Sequence, residues 1–213
     1  MKIALIGATG FVGQEVRKEA VSRGHVVTAL VRNPSKVENL DGVTGVEVDA
    51  LNTTDLAAKL KGHDIVVSAY NPGWGNPNIK DIHIKASKSI TQATKQADIS
   101  RLIVIGGAGS LLKANGGQFV DDITFPAEYL EGALGARQAL DDLRGETDLD
   151  WSFISPPFAL APGERTGKYR LGKDHPIFDA EGKSAISVRD LAVAIVDEAE
   201  KPQHSRARFT VAY

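Results

Sequence analysis

The chain has 213 residues, a formal net charge of −2 at pH 7 and no cysteine. Near-neutral charge argues against a nucleic-acid or anionic-membrane partner, and the missing thiols exclude disulfides, iron–sulfur clusters, thiolate zinc sites and a cysteine nucleophile. What remains is room for one α/β domain over 1–213, a small-molecule ligand and a cytoplasmic setting; no charged leader precedes an apolar segment, and Ile3–Ile6 is far too short to span a bilayer.

The first apolar run, Ile3–Ile6, passes straight into Gly7-Ala8-Thr9-Gly10-Phe11-Val12-Gly13 and then into helical spacing over 11–22. Strand-length runs recur at Val26–Val31, Val46–Val48, Ile65–Val67, Leu102–Ile105 and Trp151–Ile154, with helical spacing over 79–97 and 126–144, where Pro126 suits the first turn. Near-continuous apolar runs suit strands buried on both faces. Their alternation with helices predicts right-handed βαβ units, hence an α/β fold with a Rossmann-type, doubly wound, mainly parallel sheet. Beyond Ser155 the pattern weakens through Pro156, Pro157 and Pro162, so 155–185 is expected to form a small substrate-side cap before a helix near 188–200 and a strand over 208–211.

A glycine triplet alone is a weak signal, but here it ends a strand, opens a helix and lies inside a βαβ unit. In that context the glycines permit a tight turn, close approach to a pyrophosphate and tight helix packing, while the helix N-terminus supplies amides and positive dipole. Gly7, Thr9, Gly10, Phe11, Val12 and Gly13 are therefore expected to bind a nicotinamide dinucleotide. Where an acidic residue would contact the ribose hydroxyls of NAD(H), this sequence has Arg32, whose guanidinium can pair with a 2′-phosphate, so NADP(H) is favoured over NAD(H). Asp49 and Ala50, after the third strand, are expected near the adenine. The loops after the next three strands, with Ser68, Ala69 and Tyr70, Gly106 and Gly107, and Ser155 and Pro156, should face the nicotinamide.

Short-chain dehydrogenases place a lysine one turn after a tyrosine to make a proton relay. The best-placed tyrosine, Tyr129, has Ala133 at the lysine position. Ser110 and Tyr129 thus remain only as weak catalytic candidates, orienting donors for an acceptor that needs little acid catalysis. Trp74 could stack on a planar substrate or simply cap the fold. The five histidines have no paired metal-ligand spacing and are expected as loop or surface residues; no metal is expected.

Five segments carry a resemblance over nearly the whole chain: residues 2–10, 104–111, 149–156, 162–170 and 186–192. They resemble bacterial NADH-flavin reductase-like proteins, NAD(P)H-binding members of the atypical short-chain dehydrogenase/reductase family and kin to NmrA-like regulators. The resemblance implies an NAD(P)H-dependent oxidoreductase whose acceptor is a free flavin (FMN or FAD) or a quinone-like molecule; a monomer or a homodimer is expected. A non-catalytic NADP-binding sensor is the alternative. It also implies that Gly163–Gly167, Tyr169 and Arg170 help to form the substrate side, although a turn held by Arg165 would read the same way.

Overall fold

An eight-stranded sheet runs through the computed structural model, which describes all of residues 1–213. Its strands are β1 (Lys2–Ile6), β2 (Val26–Val31), β3 (Val43–Glu47), β4 (Ile65–Ser68), β5 (Arg101–Ile105), β6 (Asp150–Ser155), β8 (Arg170–Gly172) and β10 (Ala207–Ala212). The spatial order is β3-β2-β1-β4-β5-β6-β10-β8, parallel throughout except for the antiparallel edge strand β8. A separate parallel pair joins β7 (Ala159–Ala161) to β9 (Ala185–Ser187). The segment expected as a cap is therefore partly built into the main sheet.

Helices α1 (Phe11–Ser22) and α5 (Val188–Glu200) cover one face, while α2 (Thr53–Leu60), α3 (Ile79–Gln96) and α4 (Ala127–Arg144) cover the other. Side-chain alternation along β1 shows why the strand is apolar throughout: Ile3 and Leu5 enter the α1/α5 core, Ala4 and Ile6 the opposite one. Each fully buried leucine or isoleucine contributes roughly 1.5–3 kcal/mol through area removed from water, so the two covered faces hold the sheet rigid beneath its loops.

Several boundaries differ from the sequence expectation. The third strand is Val43–Glu47 and excludes Val48, because pairing with β2 sets its register from Val27↔Val43 to Val31↔Glu47. Pro126 is the N-cap of α4, one residue before the helix. Helix α2 has no counterpart in the apolar pattern; it starts where the Asn52 side chain accepts the Asp55 amide.

Candidate functional site

Strand order runs outward in both directions from β1, to β2 on one side and β4 on the other, and the carboxyl ends at such a divide are where open α/β sheets form a ligand crevice. Gly7 has φ +77°, and a Cβ there would stand 2.5 Å from the Ala69 carbonyl oxygen on the end of β4. A Cβ on Gly13 would stand 2.2 Å from the Gly7 carbonyl, so α1 begins as close to β1 as a backbone allows. Gly10 is the helix N-cap and offers no side-chain cap; its own amide turns back onto the Gly7 carbonyl at 3.0 Å. The Phe11, Val12 and Gly13 amides have no acceptor in the protein, and no acidic residue lies in the first turn. Thr9, Gly10 and Phe11 are exposed there. Free donors, dipole and absent negative charge together form an anion cradle.

At the other side of the crevice, Arg32 leaves β2 exposed and enters no ion pair. Beyond it, Asn33 orders the turn by accepting the Ser35 amide at 3.0 Å and hydroxyl at 2.6 Å. Asp49 is exposed and accepts the Leu51 amide, while Ala50 is buried. Tyr70 sits within reach of both charges: burial raises its phenol pKa, Arg32 opposes and Asp49 adds to the rise. The fold thus brings Arg32, Asp49 and Tyr70 into one neighbourhood.

Not every expected contact falls as the sequence suggested. Ser68 alternates with Val67 and turns its side chain to the helix face, where it lines a cavity of about 260 Å³ between α3 and α4. Gly106 was expected to admit a ligand, but a Cβ there would lie 2.0 Å from the Phe153 ring; its missing side chain makes room for the core. Gly107 does face free space, with only Ala136 at 3.9 Å. Ser155 and Pro156 are buried at the end of β6, and the Ser155 hydroxyl has no partner although it is fully enclosed. An orphaned buried hydroxyl costs about 1–3 kcal/mol, and full enclosure keeps this one out of a ligand's reach.

Ser110 is 3% exposed, with its carbonyl accepting from Arg208 Nη1 at 3.1 Å and its hydroxyl 3.5 Å from the same nitrogen. So placed, it steadies the loop and does not reach into solvent. Tyr129 is exposed in the first turn of α4, edge-on to Trp74 at 5.2 Å. Trp74 lies over α4, where a Cβ on Gly132 would meet its ring at 2.6 Å, while about half of the indole stays open to solvent. Ala133, at the relay-lysine position, is buried against the Gly109 turn.

Sequence reasoning missed two residues. His83 is no surface histidine: it is buried in α3 in space left by Gly135 of α4, and burial pushes its pKa down to about 4 against a backbone contact with Gly132. Arg208, nearly inaccessible on β10, ties the Ser110 turn to Asp174, whose Oδ1 accepts from its Nε and Nη2 at 2.8 and 2.6 Å. An arginine inside an apolar strand was the available signal.

The 163–170 segment also needs correction. Arg165 makes a two-point ion pair with Glu19 of α1, and Asp190 accepts the Thr166 and Gly167 amides and the Thr166 hydroxyl. Tyr169 donates to Asp197, and Arg170 to the Phe178 and Tyr213 carbonyls. The segment is fastened to the α1/α5 layer as a structural turn. No group of three His, Asp or Glu side chains could hold a metal, and no helix is long and apolar enough to cross a membrane.

A Rossmann-like sheet, a glycine cradle at its divide and free helix amides define a dinucleotide-binding protein of the short-chain dehydrogenase type. The chain belongs to the NAD(P)H-binding family, whose model matches residues 7–202. Solved structures agree over the full chain. A Burkholderia pseudomallei protein, provisionally described as exported, is 41% identical with a TM-score of 0.90, covering 100% of both chains. A Bacteroides thetaiotaomicron protein, provisionally named an epimerase, is 41% identical with a TM-score of 0.93, covering 100% of this chain and 96% of its own. A Streptococcus pneumoniae protein, SP1627, provisionally named an NADH-flavin reductase, is 33% identical with a TM-score of 0.88, covering 100% and 99%. The atypical short-chain dehydrogenase likeness thus holds, and the chain is of the NAD(P)H-binding, oxidoreductase-like family.

Proposed function

We propose that this chain is an NADPH-dependent reductase that passes a hydride to a planar acceptor, a free flavin or a quinone. The observation that carries the reading is a nicotinamide-type crevice without a proton relay: Ala133 fills the lysine position and is packed against the Gly109 turn. Epimerase and alcohol-dehydrogenase chemistry needs that relay. A flavin or quinone takes its proton from water once reduced, so positioning alone suffices.

NADPH, when bound, would supply the hydride. The chain's own work is to hold and orient. The amides of Phe11, Val12 and Gly13 would receive the pyrophosphate, and Arg32 the 2′-phosphate. The open Gly107 backbone suits the nicotinamide end, while exposed Tyr129 offers a hydroxyl to the acceptor. The reading places the protein in the cytoplasm, where NADPH is regenerated.

The test is oxidation of NADPH and NADH by purified protein with FMN, FAD, riboflavin and simple quinones, alongside binding titrations. Saturable oxidation faster with NADPH is expected. Tight NADPH binding with no turnover above background would replace the reductase by a nucleotide sensor.

A further inference from the structure

Three phenylalanines outside the cofactor cradle come together from three loops at the carboxyl end. Phe119 belongs to the Phe119–Asp121 turn after β5, Phe158 follows Pro156 and Pro157 after β6, and Phe178 follows β8. The Phe119 and Phe158 rings meet edge to face at 4.8 Å, and Phe158 and Phe178 lie tilted at 6.3 Å. Phe158 and Phe178 each remain 46% exposed. Burying either half-exposed ring would be worth kilocalories, yet the fold leaves both half in water while fixing the loops that carry them.

That fixing is specific. The Leu112 amide donates to the Asp174 carbonyl at 2.8 Å, the His175 ring to the Leu112 carbonyl at 3.0 Å, and Arg208 clamps Asp174 to the Ser110 turn. The Phe119 amide returns to the Leu111 carbonyl, and Arg170 donates to the Phe178 carbonyl at 2.9 Å. The rings are therefore presented on a braced surface, which lowers the entropy a ligand must overcome to stack on them.

Their chain positions say what the surface is for. The loop that ends β6 passes from Ser155 and Pro156, at the crevice, to Phe158 within three residues; the loop that carries Gly107 continues to Phe119. The aromatic surface extends the same two strand ends that suit the nicotinamide. We infer that Phe119, Phe158 and Phe178 form the wall on which the planar acceptor stacks, with Phe158 the central, specificity-determining ring. This rests on the reductase reading above and adds where the acceptor lies.

The experiment titrates riboflavin into NADP⁺-loaded protein, following quenching of flavin fluorescence, and measures the steady-state KM for riboflavin and menadione. Phe158→Ala is expected to raise the riboflavin Kd and KM about tenfold, the loss of one good aromatic stack, while the NADPH Kd stays within about twofold. Phe158→Tyr, which keeps the ring, should bind as wild type; Phe178→Ala, at a half-exposed ring, is the second variant should Phe158→Ala melt early. Wild-type turnover with both alanine variants unchanged in acceptor KM would overturn the wall and leave the reductase standing. Absence of acceptor binding and turnover in the wild type would overturn both. A dimer that becomes a monomer in Phe158→Ala, with acceptor binding unaltered, would reassign the rings to a contact between copies.

Discussion

Replacing Gly13 by alanine tests the anion cradle directly. The new Cβ would sit 2.2 Å from the Gly7 carbonyl oxygen, where ordinary contact begins near 3.4 Å, so the start of α1 must move by about 1 Å. The atom it meets is backbone at the end of β1, with no flexible side chain to yield. A 1 Å shift carries an amide at ordinary hydrogen-bond distance out of range of a phosphate oxygen. Charge-assisted bonds are worth about 1.5–3 kcal/mol each; allowing for partial relaxation, the loss should be about 3 kcal/mol, or a Kd for NADPH raised on the order of a hundredfold. Overpacking alone should also cost about 1–3 kcal/mol of stability. The assay is calorimetric titration with NADPH beside a thermal melt, and Gly24→Ala is the control: φ there is +80°, with nothing within 4 Å of the new carbon. It should lower stability by about 1 kcal/mol and leave affinity alone. A Gly13→Ala protein that melts normally and binds NADPH within threefold of wild type would refute the cradle.

Arg32→Ala should weaken NADPH binding by about tenfold to a hundredfold while leaving NADH within twofold; equal losses for both cofactors would remove Arg32 from 2′-phosphate recognition. His83 has a folded pKa of about 4 against 6.5 ordinarily, so the unfolded chain binds more protons between those values. Its contribution is complete above about pH 6.5 and is lost as pH falls towards 4, by up to about 3 kcal/mol, and urea melts of His83→Phe should lack that portion of the slope. Glu198→Ala should cost about 3–5 kcal/mol in urea unfolding, because it takes from buried Arg101 the carboxylate it meets at 2.7 Å and leaves the Gln203 and His204 amides without their acceptor.

Residues whose role is decided within a few positions were legible from the sequence. Ile3–Ile6 is apolar without alternation because both faces of β1 are covered, and Gly7–Gly13 announces a turn that only glycine can make. Strand β3 was harder: Thr44 and Gly45 give little apolar signal at a sheet edge, and pairing with β2 sets its limits. Three-residue strands such as β8 carry no period at all. His83 looks like a surface residue because the space it fills is made by a glycine on another helix, Gly135, and Gly106 looks like a ligand contact because the ring beneath it comes from a strand almost fifty positions later. The Arg165 turn was undecidable locally, since its partner Glu19 lies 146 positions away. The glycine turn after β1 depends on neighbours in sequence, whereas the loops after β5, β6 and β8 are assembled from distant ones.

The position of β10 bears on how the chain folds. It lies between β6 and β8 but follows both in sequence, and β8 has no other neighbour in the sheet. Until residues 207–212 arrive, the carboxylate of Asp174 and the Ser110 turn lack the arginine that joins them, whereas β1 to β5 already have their partners. A nascent or C-terminally clipped chain would accordingly assemble the β1–β5 half of its sheet first and the β6–β10–β8 edge last.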